Sequence, residues 1–151
     1  MKYLLLISLF AYALSKAGFA TRFSDCCKPD CSGPGQSGGY VARQCDANIN
    51  VITDPYDESM CDGGPSTNCL DQIPMVFNDN LAYAFTASPG LGSSVCLKYF
   101  ELTFTGEGKY ETKLNHKKLA GKKLIVISSN IEYGISNGQF YILTLEWGRN
   151  F

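Results

Sequence analysis

The sequence predicts a mainly β domain pinned by disulfides. Three stretches carry the β assignment. Leu97 to Thr105 (LKYFELTFT) is rich in aromatic and β-branched residues, and Leu124 to Ser129 (LIVISS) is a short apolar run of the kind buried on both faces of a sheet. Gln139 to Leu145 (QFYILTL) has the same character. The disulfides are read from seven cysteines: Cys26, Cys27, Cys31, Cys45, Cys61, Cys69 and Cys96. A zinc site would want paired CxxC spacings and histidines, and His116 is the only histidine. Seven is odd, so at least one thiol lacks an internal partner.

Along the chain, residues 1–20 read as a secretory signal peptide. Lys2 gives a positive start, Tyr3 to Leu14 form an apolar run, and Ala17 and Ala20 offer small residues for cleavage. An apolar run of about 12 residues falls short of the ~20 that a spanning helix needs. Cleavage after Ala20 starts the mature chain at Thr21; cleavage after Ala17 is the near alternative. A secreted, extracellular product is expected, with residues 21–151 forming one domain of ordinary size. The oxidising compartment fits the cysteine usage. Net charge is −1, which gives no steering towards nucleic acid or anionic lipid. Aromatics make up 13% of the chain, suiting either a sugar-stacking surface or a β-rich core.

Ser32 to Gly39 (SGPGQSGG) reads as a flexible loop, and Asp54 to Asn68 as a second loop pinned by Cys61 and Cys69. Asn80 to Ala87 (NLAYAFTA) is the best candidate for a short helix, since Leu81, Ala84 and Phe85 share a helical face and Asn78 or Asp79 can cap its start. Between the strand runs, Gly106 to Lys123 carries Lys109, Lys113, Lys117, Lys118, Lys122 and Lys123. A solvated hairpin loop accounts for this cluster more simply than an anionic partner does.

Thr21 to Cys31 reads TRFSDCCKPDC. This closely resembles the opening signature of glycoside hydrolase family 45, the small endo-β-1,4-glucanases, in which Thr-Arg-aromatic-Trp-Asp-Cys-Cys-Lys-Pro-Ser-Cys is usual. Counterparts continue in order: Cys45-Asp-Ala-Asn, Cys61-Asp-Gly-Gly, Ser66-Thr-Asn-Cys69, Asp71-Gln-Ile-Pro, Phe85-Thr-Ala, Cys96, Glu101-Leu-Thr-Phe-Thr and Gly121-Lys-Lys-Leu-Ile-Val. The resemblance implies a six-stranded double-psi β-barrel with short helices, shared with expansins, and a groove for a glucan chain. It further implies disulfides Cys27–Cys61, Cys31–Cys96 and Cys45–Cys69, leaving Cys26 unpaired. The family continues past the acid motif with further strands and cysteines, so this chain reads as a C-terminally shortened homologue with an incomplete barrel. An incomplete gene or a reading-frame shift is the competing account of that end.

Inverting glycoside hydrolysis needs a general base and a general acid on opposite sides of the scissile bond, roughly 6.5–9.5 Å apart. By resemblance Asp25 stands at the base position. The acid's His-Phe-Asp motif, aligned without a gap from Gly121, falls on Gln139-Phe140-Tyr141, so Tyr141 replaces the acid. A family aspartate that assists catalysis falls on Gly134, and Glu132, close by, matches no catalytic position. Thr21, Arg22, Phe23 and Lys28 match residues lining the groove, whereas the expected tryptophan is Ser24. The function expected is that of a secreted endo-β-1,4-glucanase homologue, a monomer acting on β-1,4-glucan without cofactor or metal, its activity impaired at Tyr141. The alternatives are a non-catalytic expansin-like glucan-binding protein and a truncated gene product.

Overall fold

The structure is a computed structural model that describes residues 17–35, 41–69, 74–89, 92–108, 116–132 and 138–143. Six strands make one mixed sheet: β1 (Phe19–Phe23), β5 (Met75–Asn78), β6 (Leu81–Pro89), β7 (Tyr99–Thr103), β8 (Lys123–Glu132) and β9 (Gln139–Leu143). A smaller sheet joins β2 (Gln44–Cys45), β3 (Val51–Ile52) and β4 (Thr67–Asn68) in the order β3-β2-β4. The regular helices among the described residues are short 3₁₀ turns, such as Asp30–Ser32, Met60–Asp62 and His116–Leu119. No helix among the described residues is long and apolar enough to cross a membrane.

The large sheet runs β1-β9-β6-β8-β7, with β5 added to the start of β6. β1 lies parallel to β9 and β6 parallel to β8, while β6–β9, β7–β8 and β5–β6 are antiparallel. Among the described residues β1 and β7 do not pair, so the mainly β fold is a barrel left unclosed. Its interior holds Ala84, Leu124, Val126 and Ile142, flanked by Ala20, Phe100, Leu102 and Phe140. The sheet period of two explains which side chains meet there. In β7, Phe100 and Leu102 turn inward while Tyr99, Glu101 and Thr103 face solvent. Gly18 and Gly138 open the β1–β9 pair at such close range that a Cβ on Gly18 would collide with the Gly138 carbonyl.

One expected element is corrected. Asn80 to Ala87 is not a helix; it forms the first part of strand β6. The same residues that share a helical face also alternate, with Leu81, Tyr83 and Phe85 on one side and Ala82, Ala84 and Thr86 on the other. Small alanines suit the inward face, where Ala84 is almost wholly buried among Leu124, Val126 and Ile142. Sheet partners on three strands outweigh the alanines' helix preference. Asn78 caps no helix; its Oδ1 accepts the Asn80 N–H (2.8 Å) in the turn between β5 and β6.

The three disulfides are Cys27–Cys61, Cys31–Cys96 and Cys45–Cys69, and Cys26 is an exposed free thiol. Cys31 and Cys96 sit in a second apolar cluster with Ala42 and Ile131. The loop from Asp54 to Asn68 is more ordered than its composition implies: it holds the 3₁₀ turn at Met60–Asp62, a Ser59–Ser66 bridge and β4. Lys117, Lys118 and Lys123 are exposed, and Lys123 pairs with Glu101 at 2.7 Å, so that part of the lysine cluster is solvated. Lys109 and Lys113 lie outside the described residues, as does most of the expected signal peptide.

Candidate active site

Asp25 follows the end of β1 by two residues, about 7 Å along an extended chain. Its Oδ1 accepts the Cys27 N–H at 2.8 Å, the local turn that an aspartate two residues before a free amide readily makes. Its Oδ2 accepts Nδ2 of Asn130, from β8, at 3.4 Å. The main chain here is clamped as well: Asn68 Nδ2 donates to the Asp25 carbonyl at 3.0 Å, and the Thr67 hydroxyl donates to the Cys26 carbonyl. The half-buried carboxylate is thus held by a turn, a disulfide neighbour and a strand from across the fold.

The β1–β9 ladder supplies the adjoining wall. Thr21 pairs with Tyr141, and Phe19 with Gln139. Ala20, Phe140 and Ile142 point into the barrel, so alternation puts Thr21, Phe23, Gln139 and Tyr141 together on the other face. There Gln139 Nε2 donates to Thr21 Oγ1 at 3.3 Å, and the Phe23 and Tyr141 rings meet edge to face at 5.9 Å. The Thr86 hydroxyl holds the Tyr141 carbonyl at 2.8 Å.

The remaining expected site residues are placed differently. Arg22 is exposed, on the opposite alternation to Thr21 and Phe23. Lys28 spends two of its three ammonium hydrogens on the carbonyls of Pro55 (2.7 Å) and Asp57 (2.6 Å), tethering that loop. Ser24 is exposed, Glu132 is half-buried at the far end of β8 opposite Pro89, and Gly134 lies outside the described residues. An open depression of about 390 Å³ beside the site is lined by Lys28, Asp30, Asp57, Glu58 and the Cys27–Cys61 bridge.

Asp30 is a second carboxylate that the sequence reading left out. Although the residue is exposed overall, its carboxyl is turned inward, and Oδ2 accepts the Ile131 N–H at 2.8 Å. Burial pushes this carboxyl above its ordinary range; the Ile131 N–H opposes the shift, and the Asp25 charge adds to it. Asp25 also lies near Cys27 Sγ and Cys61 Sγ, all within 4.8 Å of one another. Both sulfurs are joined in the disulfide, so neither is a thiolate able to ligate a metal.

Fold and site together define a disulfide-bonded β-barrel domain with a clamped carboxylate at the end of its first strand. The profile of glycosyl hydrolase family 45 matches residues 17–148, and the chain belongs to that family. It is 38% identical over 129 residues to endoglucanase B of Cellvibrio japonicus, covering 83% of this chain and 25% of that protein. It is 33% identical over 133 residues to an endoglucanase of Cryptopygus antarcticus, covering 85% of this chain and 54% of that one. The crystal structure of the cellulase from that Antarctic springtail superposes with a TM-score of 0.69 at 34% identity, over 83% of this chain and 57% of the springtail chain. The chain thus spans between a quarter and about half the length of these relatives.

Proposed function

We propose that this chain is a secreted, β-1,4-glucan-directed endoglucanase homologue whose hydrolytic step is weakened at the proton donor. The observation that carries the reading is the Asp25 carboxylate, which accepts N–H donors on both oxygens and lies beyond the strand that pairs with β9. In the inverting reaction Asp25 takes a proton from water as that water attacks the anomeric carbon, and the departing sugar oxygen needs a proton from the other side. Tyr141 stands where the family's acid is expected. A phenol with an ordinary pKa near 10 donates poorly near neutrality, and losing a general acid costs about 10²–10⁴-fold. The chemistry is acid–base throughout and calls on no cofactor.

Secretion is read from the signal peptide at residues 1–20, and the strand bounds support the earlier of its two cleavage points. Cleavage after Ala17 keeps Gly18 and the pairs Phe19–Gln139 and Ala20–Phe140, which cleavage after Ala20 would remove. A mature N-terminus at Gly18, read by intact mass of the secreted protein, is the expected result.

A second reading, a non-catalytic glucan-binding protein, is favoured by one feature. Phe23 and Tyr141 form an aromatic pair on the face where a carboxylic acid is needed, and aromatic rings bind sugars without cleaving them. Reducing-sugar release from soluble β-1,4-glucan, run beside a cellulose pull-down, separates the two. Slow release that Asp25→Ala abolishes supports the enzyme reading; retention without release supports the binding protein. Neither binding nor release would remove both.

A further inference from the structure

We infer that Asn130, aimed by a β-bulge at Ser129, is a positioning residue that holds and orients the Asp25 carboxylate. The register of the parallel β6–β8 pair runs regularly to Thr86–Ser128 and then resumes at Ala87–Asn130, so Ser129 is the extra residue. A bulge breaks the alternation and re-aims the side chains that follow it. Ser128, Ser129 and Asn130 are all buried, an unusual place for three consecutive polar residues unless each is partnered.

The partners fix the geometry. A carboxylate is acceptor-only, so the Asn130 amide must present its NH₂ to Asp25 Oδ2, as it does at 3.4 Å. Asn130 Oδ1 is then turned towards Ser129, whose hydroxyl must donate, and does at 3.0 Å. A chain of donors therefore runs in one sense, from the Ser129 hydroxyl through the Asn130 amide to Asp25. The next residue, Ile131, gives its N–H to Asp30, so consecutive positions of β8 fix both carboxylates of this region. A buried asparagine serving only the core would be satisfied by neutral groups. This one spends its donor on the charged form of the residue read as the base.

The inference rests on that reading of Asp25, and the test keeps the two apart. In ¹³C-aspartate-labelled full-length protein the Asp25 carboxyl signal, assigned by its loss in Asp25→Asn, is followed through a pH titration. Removing a donor to the carboxylate moves the titration midpoint upward in Asn130→Ala. A smaller upward move is expected in Ser129→Ala, and partial recovery in Asn130→Ser, which keeps a short donor. Asp30 from the 30–32 turn is the carboxyl coupled to Asp25, and Cys26 and Lys28 lie along its own segment, so the series is repeated with Asp30→Asn to remove that coupling. An unmoved midpoint in folded Asn130→Ala overturns the inference, as does an unmoved midpoint in both Ser129→Ala and Asn130→Ser if Asn130→Ala does not fold. A moved midpoint in a protein that neither binds nor cleaves glucan leaves the positioning role standing and removes the glucanase reading. An unmoved midpoint alongside hydrolysis that depends on Asp25 does the reverse.

Discussion

Thr21 and Tyr141 are partners across the parallel β1–β9 ladder, and the ring of Phe23, two residues on, meets Tyr141 edge to face at 5.9 Å. The first strand and the last described strand therefore share one wall of the candidate site. Tyr141 is half-buried on it, a position in which a carboxyl would be partly desolvated and kept protonated to higher pH. Tyr141→Asp is accordingly expected to raise the rate of reducing-sugar release from carboxymethylcellulose by about 10²–10⁴-fold. No gain in a folded Tyr141→Asp protein would mean that Tyr141 does not stand at the donor's place.

The disulfides predict a stability order. Cys31–Cys96 closes 65 residues and Cys45–Cys69 closes 24. On the loop-entropy account, losing the first costs about 4 kcal/mol and the second about 3.5 kcal/mol. All four cysteines are buried, so loop length is what separates the two bonds. Urea unfolding of the paired Cys→Ala variants should give a lower midpoint for Cys31/Cys96 than for Cys45/Cys69.

Asp30 gives a pH dependence with a definite sign. Its folded carboxyl titrates above the 3.8 of the free group because burial disfavours the charge. Between those two values the folded state holds more proton than the unfolded state, so stability falls as pH rises through that interval and stays lower above it. Asp30→Asn keeps an oxygen for the Ile131 N–H and removes the charge, so its stability should exceed the parent's above this interval and vary less across it. Asp46 acts in the opposite sense: hydrogen bonds from Asn50, chiefly from its side chain, hold its carboxyl below 3.8, and that contribution is lost as pH falls through the lowered value. Thermal melts of Asp30→Asn and Asp46→Asn, each taken as a difference from the parent between acid and neutral pH, should slope in contrary senses.

Strand β5 makes a prediction about solubility. Met75, Val76 and Phe77 are 65%, 77% and 68% exposed, and among the described residues β5 pairs with β6 alone. An apolar edge with unpaired backbone groups invites another strand. Val76→Lys should lower concentration-dependent light scattering without loss of the folded spectrum, whereas equal scattering would place the association elsewhere.

How far these features could be read in advance depended on the strength of the local pattern. The later strands were legible because runs such as Leu124 to Ile127 combine β-branched residues with hydrophobicity that only a buried strand accommodates. β6 was not, because Leu81, Ala84 and Phe85 share a helical face while Leu81 to Thr86 also alternates, and only its partners on β5, β8 and β9 decide between them. Strands of two residues, such as β2 to β4, are too short for any periodicity to register. In the site, Asp25 stood out through the motif around it, whereas Asn130 and Asp30 did not, since each matters through a residue about a hundred positions away. The one local hint at Asn130 was the abrupt change from Leu-Ile-Val-Ile to Ser-Ser-Asn within a single run.

The pairing of β1 with β9 also orders events in time. A ribosome delivers Phe19 long before Gln139, so the first strand must wait, without its neighbour, while more than a hundred residues between them are synthesised. Every disulfide half-cystine lies between Cys27 and Cys96, and all three bonds can close during that wait. Oxidation thus shortens the search before the slow, long-range step, and it does so on a chain whose strand β9 has not yet arrived.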